Sequence, residues 1–121
     1  MTNHSQIQFR GVRRNGMTQV RVHGPSPGVV HDLPRRLDVV NHSPSGFEWG
    51  YAGSGPAQLA LAMLLALGID RERAAIWHQH IKRDCIQGLQ GDEFVIDGDD
   101  VLRALAAAEA RYADVEGGRR A

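Results

Sequence analysis

Apolar and polar residues largely alternate along the first part of the chain. From Ile7 to Gly24 this alternation continues on both sides of an Asn15-Gly16 pair. Alternation is typical of strands with one buried face, and Asn-Gly is a preferred pair for a two-residue type I′ turn. The pattern therefore predicts a β-hairpin that turns at Asn15 and Gly16.

The position of this turn fixes the register of the predicted hairpin. Arg10 then lies opposite Arg21, and Gln8 lies opposite His23. Because successive side chains of a strand point to opposite faces, the two faces differ in chemistry. The face predicted to pack on the core carries Ile7, Phe9, Val20 and Val22. The polar face is predicted to carry Arg10, Arg14, Arg21 and His23.

Three later segments have helical spacing of their apolar residues. The first predicted helix runs from Pro56 to about residue 67 and is apolar nearly all round, with Gln58 as its one polar side chain. Such a composition predicts a buried helix. A second helix is predicted from Asp70 to about Cys85, and a third from Asp97 or Asp99 to residue 112.

Short apolar runs between turn residues predict further strands. They lie near residues 29–33, 37–40, 47–51 and 93–96. Most of the predicted strands precede the helices, and one further strand lies between the second and third helices. This order indicates an α+β fold, with about three helices on one face of a mostly antiparallel sheet. We expect a single α+β domain over residues 1–115 and a flexible tail over residues 116–121.

Charge is unevenly distributed although the formal net charge is zero. Residues 1–45 carry six arginines against two acids, a net charge of +4. Residues 46–121 carry eight basic residues against twelve acids, a net charge of −4. With 42% hydrophobic and 23% charged residues, the composition is that of an ordinary globular protein.

Cys85 is the single cysteine, so no disulfide can form within the chain, which suits a reducing cytoplasm. The N-terminus lacks the apolar stretch of a signal peptide. The longest apolar run, Leu59 to Leu67, has nine residues and is too short to span a bilayer. We therefore expect a cytoplasmic protein without membrane contact.

A long motif occupies residues 43–64. It resembles the signature of the domain-of-unknown-function family 6166, S-P-x-G-F-x-W-G-Y-x-G-S-G-P-A-Q-L-A-L-A-[LIM]-L, and every defined position matches from Ser43 to Leu64. The resemblance implies a strand-rich start, a helix after the motif, a short strand and a final helix. It also implies a mobile-element setting, since the family comprises small proteins of bacteria, archaea, phages and plasmids. It implies no activity and no catalytic residues.

The glycine-rich turn before the first helix is one candidate site. Free N–H groups and the helix dipole favour a phosphate or carboxylate there, held by the N–H groups of Gly53 to Ala57 with the Ser54 hydroxyl added, so that Gly53, Ser54 and Gly55 are the candidate anion-binding residues of the turn. Alternatively, the glycines only allow a tight turn into a buried helix, and this structural interpretation is favoured. Pro56 removes one donor, and no lysine follows as it does in a P-loop.

Gln58 and the aromatic segment before the turn form a second candidate. A buried glutamine needs hydrogen-bond partners, so Gln58 is interpreted first as a structural latch, bonded to the glycine turn or to Glu48. If Glu48 and Gln58 instead line a cleft beside Trp49 and Tyr51, they would form a small-molecule or base-stacking pocket.

The polar face of the hairpin is the third candidate. Opposed arginines repel each other, so a face of this kind suits a phosphate backbone or an acidic protein surface. The alternative is a solvated face paired with acids from the second half of the chain. Partner-binding candidates are Arg10, Arg14, Arg21, His23, Trp49 and Tyr51.

No metal or cofactor is expected. The six histidines have no zinc-type spacing: His78 and His80 point about 200° apart on a helix and cannot share an ion. Asp97 to Asp100 lacks the spacing of a calcium loop. Cys85 on an apolar helix stripe is interpreted as a small core residue.

Together these patterns favour a small macromolecule-binding or regulatory module over an enzyme. A protein or a nucleic acid is the expected partner. An inhibitor of a host defence system is one form that fits the mobile-element setting. The competing hypothesis is a ligand-binding domain or enzyme that uses the glycine turn as an anion site.

Overall fold

The computed structural model describes residues 7–26, 28–43 and 45–120, with side chains described as far as residue 113. His4, Pro27 and Pro44, which the sequence patterns include, lie outside these ranges. The chain begins with a hairpin of β1 (Gln8–Arg14) and β2 (Met17–His23).

The predicted turn and register of the hairpin are confirmed. Asn15 and Gly16 both have positive φ, 53° and 77°, as a type I′ turn requires. Arg10 pairs with Arg21 and Gln8 pairs with His23 along the antiparallel ladder. The Asn15-Gly16 pair therefore predicted the turn, and the alternation around it predicted the face on which each residue lies.

Two short strands complete a four-stranded antiparallel sheet. The edge strand β3 (Val30–Asp32) pairs with β2, and β4 (Glu93–Asp97) pairs with β1. The strand order is β3-β2-β1-β4. Strands near 29–33 and 93–96 were predicted, but sequence gave no indication that β4 would lie beside β1.

Three α-helices follow the pattern of apolar spacing. They are α1 (Ser54–Ala66), α2 (Arg71–Ile81) and α3 (Gly98–Arg120). A π-helical turn (Lys82–Ile86) continues α2, so helical structure ends close to the predicted boundary. The fold is therefore α+β. The domain boundary at residue 116 stays a prediction.

Two predicted strands are wrong. Residues 37–39 form a turn in which Val39 N–H donates to the Arg36 carbonyl, and Arg36 itself has a φ of 56°. Residues 47–51 are irregular, and the Phe47 and Trp49 carbonyls accept from the side chains of Thr18 and Arg13. Thr18 Oγ1 donates to the Phe47 carbonyl at 2.6 Å.

The inner face of the sheet and the helices share one apolar core. The strands contribute mainly Phe9, Val20, Val22, Phe94 and Ile96 to it. In α1 the residues from Gly55 to Leu64 are buried. Helix α2 starts after an Asp70 cap, whose carboxylate accepts from Arg73 N–H at 2.9 Å. No described helix covers the opposite face of the sheet, which carries most of the exposed strand residues.

Candidate functional site

The outer face of the sheet is the face that points away from the core. On the central hairpin it carries Gln8, Arg10, Val12, Arg14, Met17, Gln19, Arg21 and His23. The three arginines are exposed and His23 is partly buried. The residues that the sequence placed on one polar face are thus brought together on the described surface.

The outer strands add acids and apolar groups to this face. Asp32 of β3 lies opposite Arg21, and in β4 Val95 lies opposite Arg10. Met17 is 78% exposed and Val95 is 60% exposed. The outer face therefore mixes cationic, anionic and apolar side chains, and it is less purely basic than the hairpin alone suggested.

Arg10 is held in place by a short hydrogen-bonded chain. Its Nη2 and Nε donate to Gln8 Oε1 at 2.8 and 3.3 Å. Gln8 Nε2 in turn donates to Asp97 Oδ1 at 2.9 Å. The amide of Gln8 is therefore oriented from both ends, and the acid from the second half of the chain pairs with the glutamine and not with Arg10.

The remaining cations of the outer face are held loosely. Arg21 Nε lies 3.6 Å from Asp32 Oδ1, a distance for weak attraction only. The Arg14 side chain forms no hydrogen bond or ion pair within the described residues. Partial burial lowers the pKa of His23, and the charges of Arg10 and Arg21 lower it further. His23 is therefore mainly neutral at pH 7.

The glycine turn leads directly into α1, as predicted. Gly53 is the N-cap, with no side-chain hydrogen bond, and Ser54 is an exposed first helical residue. Ala57 N–H already donates to the Gly53 carbonyl at 3.0 Å, and Pro56 has no N–H. The N–H groups that remain for an anion here are those of Gly53, Ser54 and Gly55, together with the Ser54 hydroxyl.

Close packing accounts for two glycines of this turn. A Cβ on Gly55 would lie 2.6 Å from Glu48 Cβ, so the helix could not approach residue 48 with any larger side chain. Gly50 has a φ of 91°, and its N–H donates to the Ile86 carbonyl at 3.1 Å. These contacts give the glycines a structural role.

Arg13 joins the loop before α1 to the loop before β4. No pattern in the sequence indicated a role for this residue. Its Nη2 donates to Glu48 Oε1 at 2.6 Å and its Nη1 to Asp92 Oδ1 at 2.9 Å. Its guanidinium carbon lies 4.5 Å from the centre of the Trp49 ring. Hydrogen bonds to both carboxylates raise the pKa of Arg13. Glu48 thus serves this arginine and not Gln58.

Trp49 and Tyr51 have different environments. Trp49 is 1% exposed, its Nε1 donates to the Gly91 carbonyl at 3.0 Å, and its ring meets Phe94 edge-on at 4.8 Å. Its ring is therefore enclosed, away from the surface where we expected it to meet a partner. Tyr51 is 50% exposed and remains accessible.

Gln58 is fully buried, and its amide forms four hydrogen bonds. Oε1 accepts from the N–H groups of His42 and Ser43 at 2.8 and 3.2 Å. Nε2 donates to the carbonyls of Arg35 and Val40 at 2.7 and 2.9 Å. Gln58 is thus a latch, although its partners lie in the loop of residues 35–43 and not in the glycine turn or at Glu48.

A histidine pair beside this latch had no signal in the sequence, because its members lie 36 positions apart. His42 Nε2 and His78 Nε2 are separated by 2.8 Å. His78 Nδ1 lies 2.8 Å from the Ala75 carbonyl, which can only accept, so Nδ1 is protonated and Nε2 accepts from His42. Burial lowers the pKa of His78, and His42 and Lys82 lower it further.

A metal site and a reactive cysteine are two further chemical possibilities in the described part of the chain. There, no group of three or more histidine, cysteine, aspartate or glutamate side chains is placed to hold a metal ion. Cys85 is partly buried, and burial raises its pKa to about 11. Its thiol is therefore protonated at pH 7 and is a poor nucleophile.

Comparison with known proteins gives a family but no activity. The model of DUF6166, a family of unknown function, matches residues 9–107. The match covers most of the chain, so this protein belongs to that family. No curated protein and no solved structure matches the chain. Within the described residues, no helix is long and apolar enough to cross a membrane.

Proposed function

We propose that this protein is a non-enzymatic binding module that engages an acidic protein partner through the outer face of its sheet. The observation that carries the proposal is the directly opposed pair Arg10 and Arg21 on a sheet face that no described helix covers. Like charges across a ladder cost a few tenths of a kcal/mol. A bound anion would turn this repulsion into attraction.

The composition of the outer face favours a protein over a nucleic acid. Asp32, Glu93 and Asp97 flank the arginines on the outer strands and would repel a phosphate backbone. The exposed Met17 and Val95 offer apolar contact area of the kind found in protein interfaces. Tyr51 lies elsewhere and is not needed for this contact.

The chemistry of Cys85 and of the glycine turn favours a non-enzymatic module. The thiol of Cys85 is protonated, and close packing of Gly55 against Glu48 supports a structural role for the glycine turn. An anion site at Gly53, Ser54 and Gly55 would be the competing function, with Glu48 and Gln58 beside it. It has less support, because Glu48 is engaged by Arg13 and Gln58 by the loop of residues 35–43.

A cytoplasmic protein of mobile-element type is part of the same proposal. Its support is the small size, the lone Cys85 and the family resemblance. An inhibitor of a host defence system would be a binding module of this kind, because occlusion of a target surface needs no catalysis.

The test is affinity capture from a bacterial lysate with tagged protein, with and without nuclease. The Arg10→Ala/Arg21→Ala variant removes the opposed pair, and Arg83→Ala/Arg103→Ala is a control with equal charge change on the helical side. We expect to capture a protein partner whose binding persists after nuclease treatment. The first variant should lose this partner, and the control should retain it. Capture that depends on nucleic acid, or that ignores the first variant, would refute the proposal.

A further inference from the structure

Two shallow depressions lie side by side on the outer face. The first, called here the arginine depression, has a volume of about 280 Å³ and is lined by Arg10, Val12, Gln19, Arg21 and His23. The second, called the apolar depression, has a volume of about 490 Å³ and is lined by Val12, Arg14, Met17, Thr18 and Gln19. The two share Val12 and Gln19, so one ligand can occupy both.

We propose that these depressions recognise a short acidic segment of the partner. A carboxylate side chain occupies the arginine depression, and a large apolar side chain of the same segment occupies the apolar depression. This inference rests on the function proposed above and specifies the chemistry of its partner.

The arginine depression is organised for a carboxylate before any ligand arrives. Gln8 fixes Nε and Nη2 of Arg10, which leaves Nη1 to donate to a ligand. Arg21 stands directly opposite and is held only by a 3.6 Å contact with Asp32, so it can turn toward a stronger anion. A guanidinium whose orientation is already fixed loses less entropy when it binds.

His23 completes the arginine depression with a neutral imidazole. Partial burial and the charges of Arg10 and Arg21 all disfavour its protonated form. A carboxylate bound among these groups would offset the two positive charges. Its arrival therefore raises the pKa of His23, which provides a local reporter of what occupies the depression.

One negative charge suits this depression better than two. Asp97 stands behind Gln8, and Asp32 faces Arg21, so both acids oppose a second charge on the ligand. A carboxylate carries a single charge, whereas a phosphate monoester carries close to two at pH 7. The flanking acids therefore favour aspartate or glutamate over a phosphorylated residue.

The distance between the depressions sets the spacing of the ligand's side chains. Met17 and Arg21 lie four residues apart on β2, which is roughly 13 Å in an extended strand. An extended ligand that runs along this strand spans the same distance with four residues. We therefore expect an aspartate or glutamate about four positions from a large apolar residue.

The experiment is a selection of random 12-residue peptides, displayed on phage, against the immobilised full-length protein. Enriched peptides are then synthesised with a fluorescent label, and their affinities are measured by anisotropy. Variants are Arg10→Gln/Arg21→Gln for the arginine depression, Met17→Ser for the apolar depression and Arg83→Gln/Arg103→Gln as control. Circular dichroism checks each fold, and the single Arg21→Gln variant replaces the double variant if that one unfolds.

The expected result is a set of peptides with the predicted spacing. The arginine variant should bind them at least tenfold more weakly, since charge-assisted hydrogen bonds contribute about that much. The control should bind them normally, and NMR should show a higher pKa of His23 in the complex.

Four other results would overturn the inference. Peptides that need Met17 but ignore the arginine variant would refute the carboxylate site, and the proposed function would then stand only if lysate capture still depends on Arg10 and Arg21. Peptides that bind equally well to all variants, or a selection without enrichment, would count against both. A 12-nucleotide single strand that competes for the arginine depression would replace the protein partner with a nucleic acid.

Discussion

The outer face of the sheet and the loop that packs on α1 use their polar groups in opposite ways. In the loop, every donor and acceptor of the Gln58 amide has a protein partner. On the outer face, Arg10 and Arg21 stand opposed, and Arg14 has no ion pair within the described residues. Polar groups in the first region hold the fold together, whereas those in the second remain available to a partner.

A polar residue among apolar neighbours has a different role in each of these two regions. Gln58 interrupts a run of apolar residues, whereas the hairpin arginines alternate with apolar residues. Gln58 is fully buried, so losing its partners would be costly, whereas the arginines are solvated. Mutations should therefore affect stability in the loop and binding on the outer face.

The largest effect is expected from Gln58→Leu. It removes the acceptor of the partly buried N–H groups of His42 and Ser43 and two further hydrogen bonds to loop carbonyls, and each buried polar group left unsatisfied costs about 1–3 kcal/mol. We expect unfolding in urea to show a loss of at least ~3 kcal/mol. Gln19→Leu, on the outer face, should change the free energy of unfolding by no more than about 0.5 kcal/mol. A loss below about 1 kcal/mol for Gln58→Leu would contradict the latch.

A smaller loss is expected from Gly55→Ala. The new Cβ would lie 2.6 Å from Glu48 Cβ and 3.1 Å from its backbone nitrogen, so the loop or the helix must shift. Overpacking of this kind costs about 1–3 kcal/mol. Ser54→Ala, at the exposed neighbouring position, should cost less than about 0.5 kcal/mol in the same denaturation experiment. If Ser54→Ala keeps its stability but abolishes partner binding, the anion-site alternative replaces our proposal.

The histidine pair should make the stability of the protein depend on pH. The pKa of His78 is below its ordinary value of 6.5 because the ring is buried, so the neutral form is favoured in the folded state. Its stabilising contribution is complete above pH 6.5 and is lost as the pH falls below that value. We expect urea unfolding between pH 8 and pH 5 to show a smaller decline for His78→Gln than for the wild type. His31→Gln, at an exposed position, is the control, and an unchanged decline for His78→Gln would disprove this role.

The smallest effect is expected from Arg21→Thr. The change removes the repulsion with Arg10 and gives a residue that favours strands, and the exposed contact with Asp32 contributes little. Thermal denaturation should show a protein unchanged or up to about 0.5 kcal/mol more stable. Partner binding should nevertheless weaken, and a marked loss of stability would mean that the outer face is structural after all.

Local patterns predicted the hairpin because all of its information lies within residues 7–24. The turn, the register and both faces follow from Asn15-Gly16 and the alternation around it. The helices were also predictable from apolar spacing and from the cap at Asp70. The predictions of strands at 37–40 and 47–51 were wrong. The backbone conformation there depends on the positive φ of Arg36 and on hydrogen bonds from side chains, which local patterns do not show.

Contacts between distant segments were beyond such patterns. The role of Arg13 depends on Glu48 and Asp92, which lie 35 and 79 positions away. The contact between His42 and His78 was unpredictable for the same reason, because the two residues come together only when α2 packs. Sequence did show that Gln58 needed partners, because a lone polar residue in an apolar helix must be satisfied. It could not show which loop would supply them.

The latch also determines how two loop amides exchange with solvent. The N–H groups of His42 and Ser43 donate to a side chain that is enclosed in the core, although neither residue belongs to a helix or strand. Their hydrogens can exchange only when the loop detaches from α1. Hydrogen–deuterium exchange should therefore show slow exchange at these two loop positions, and their rates would measure the opening of the loop in the native protein.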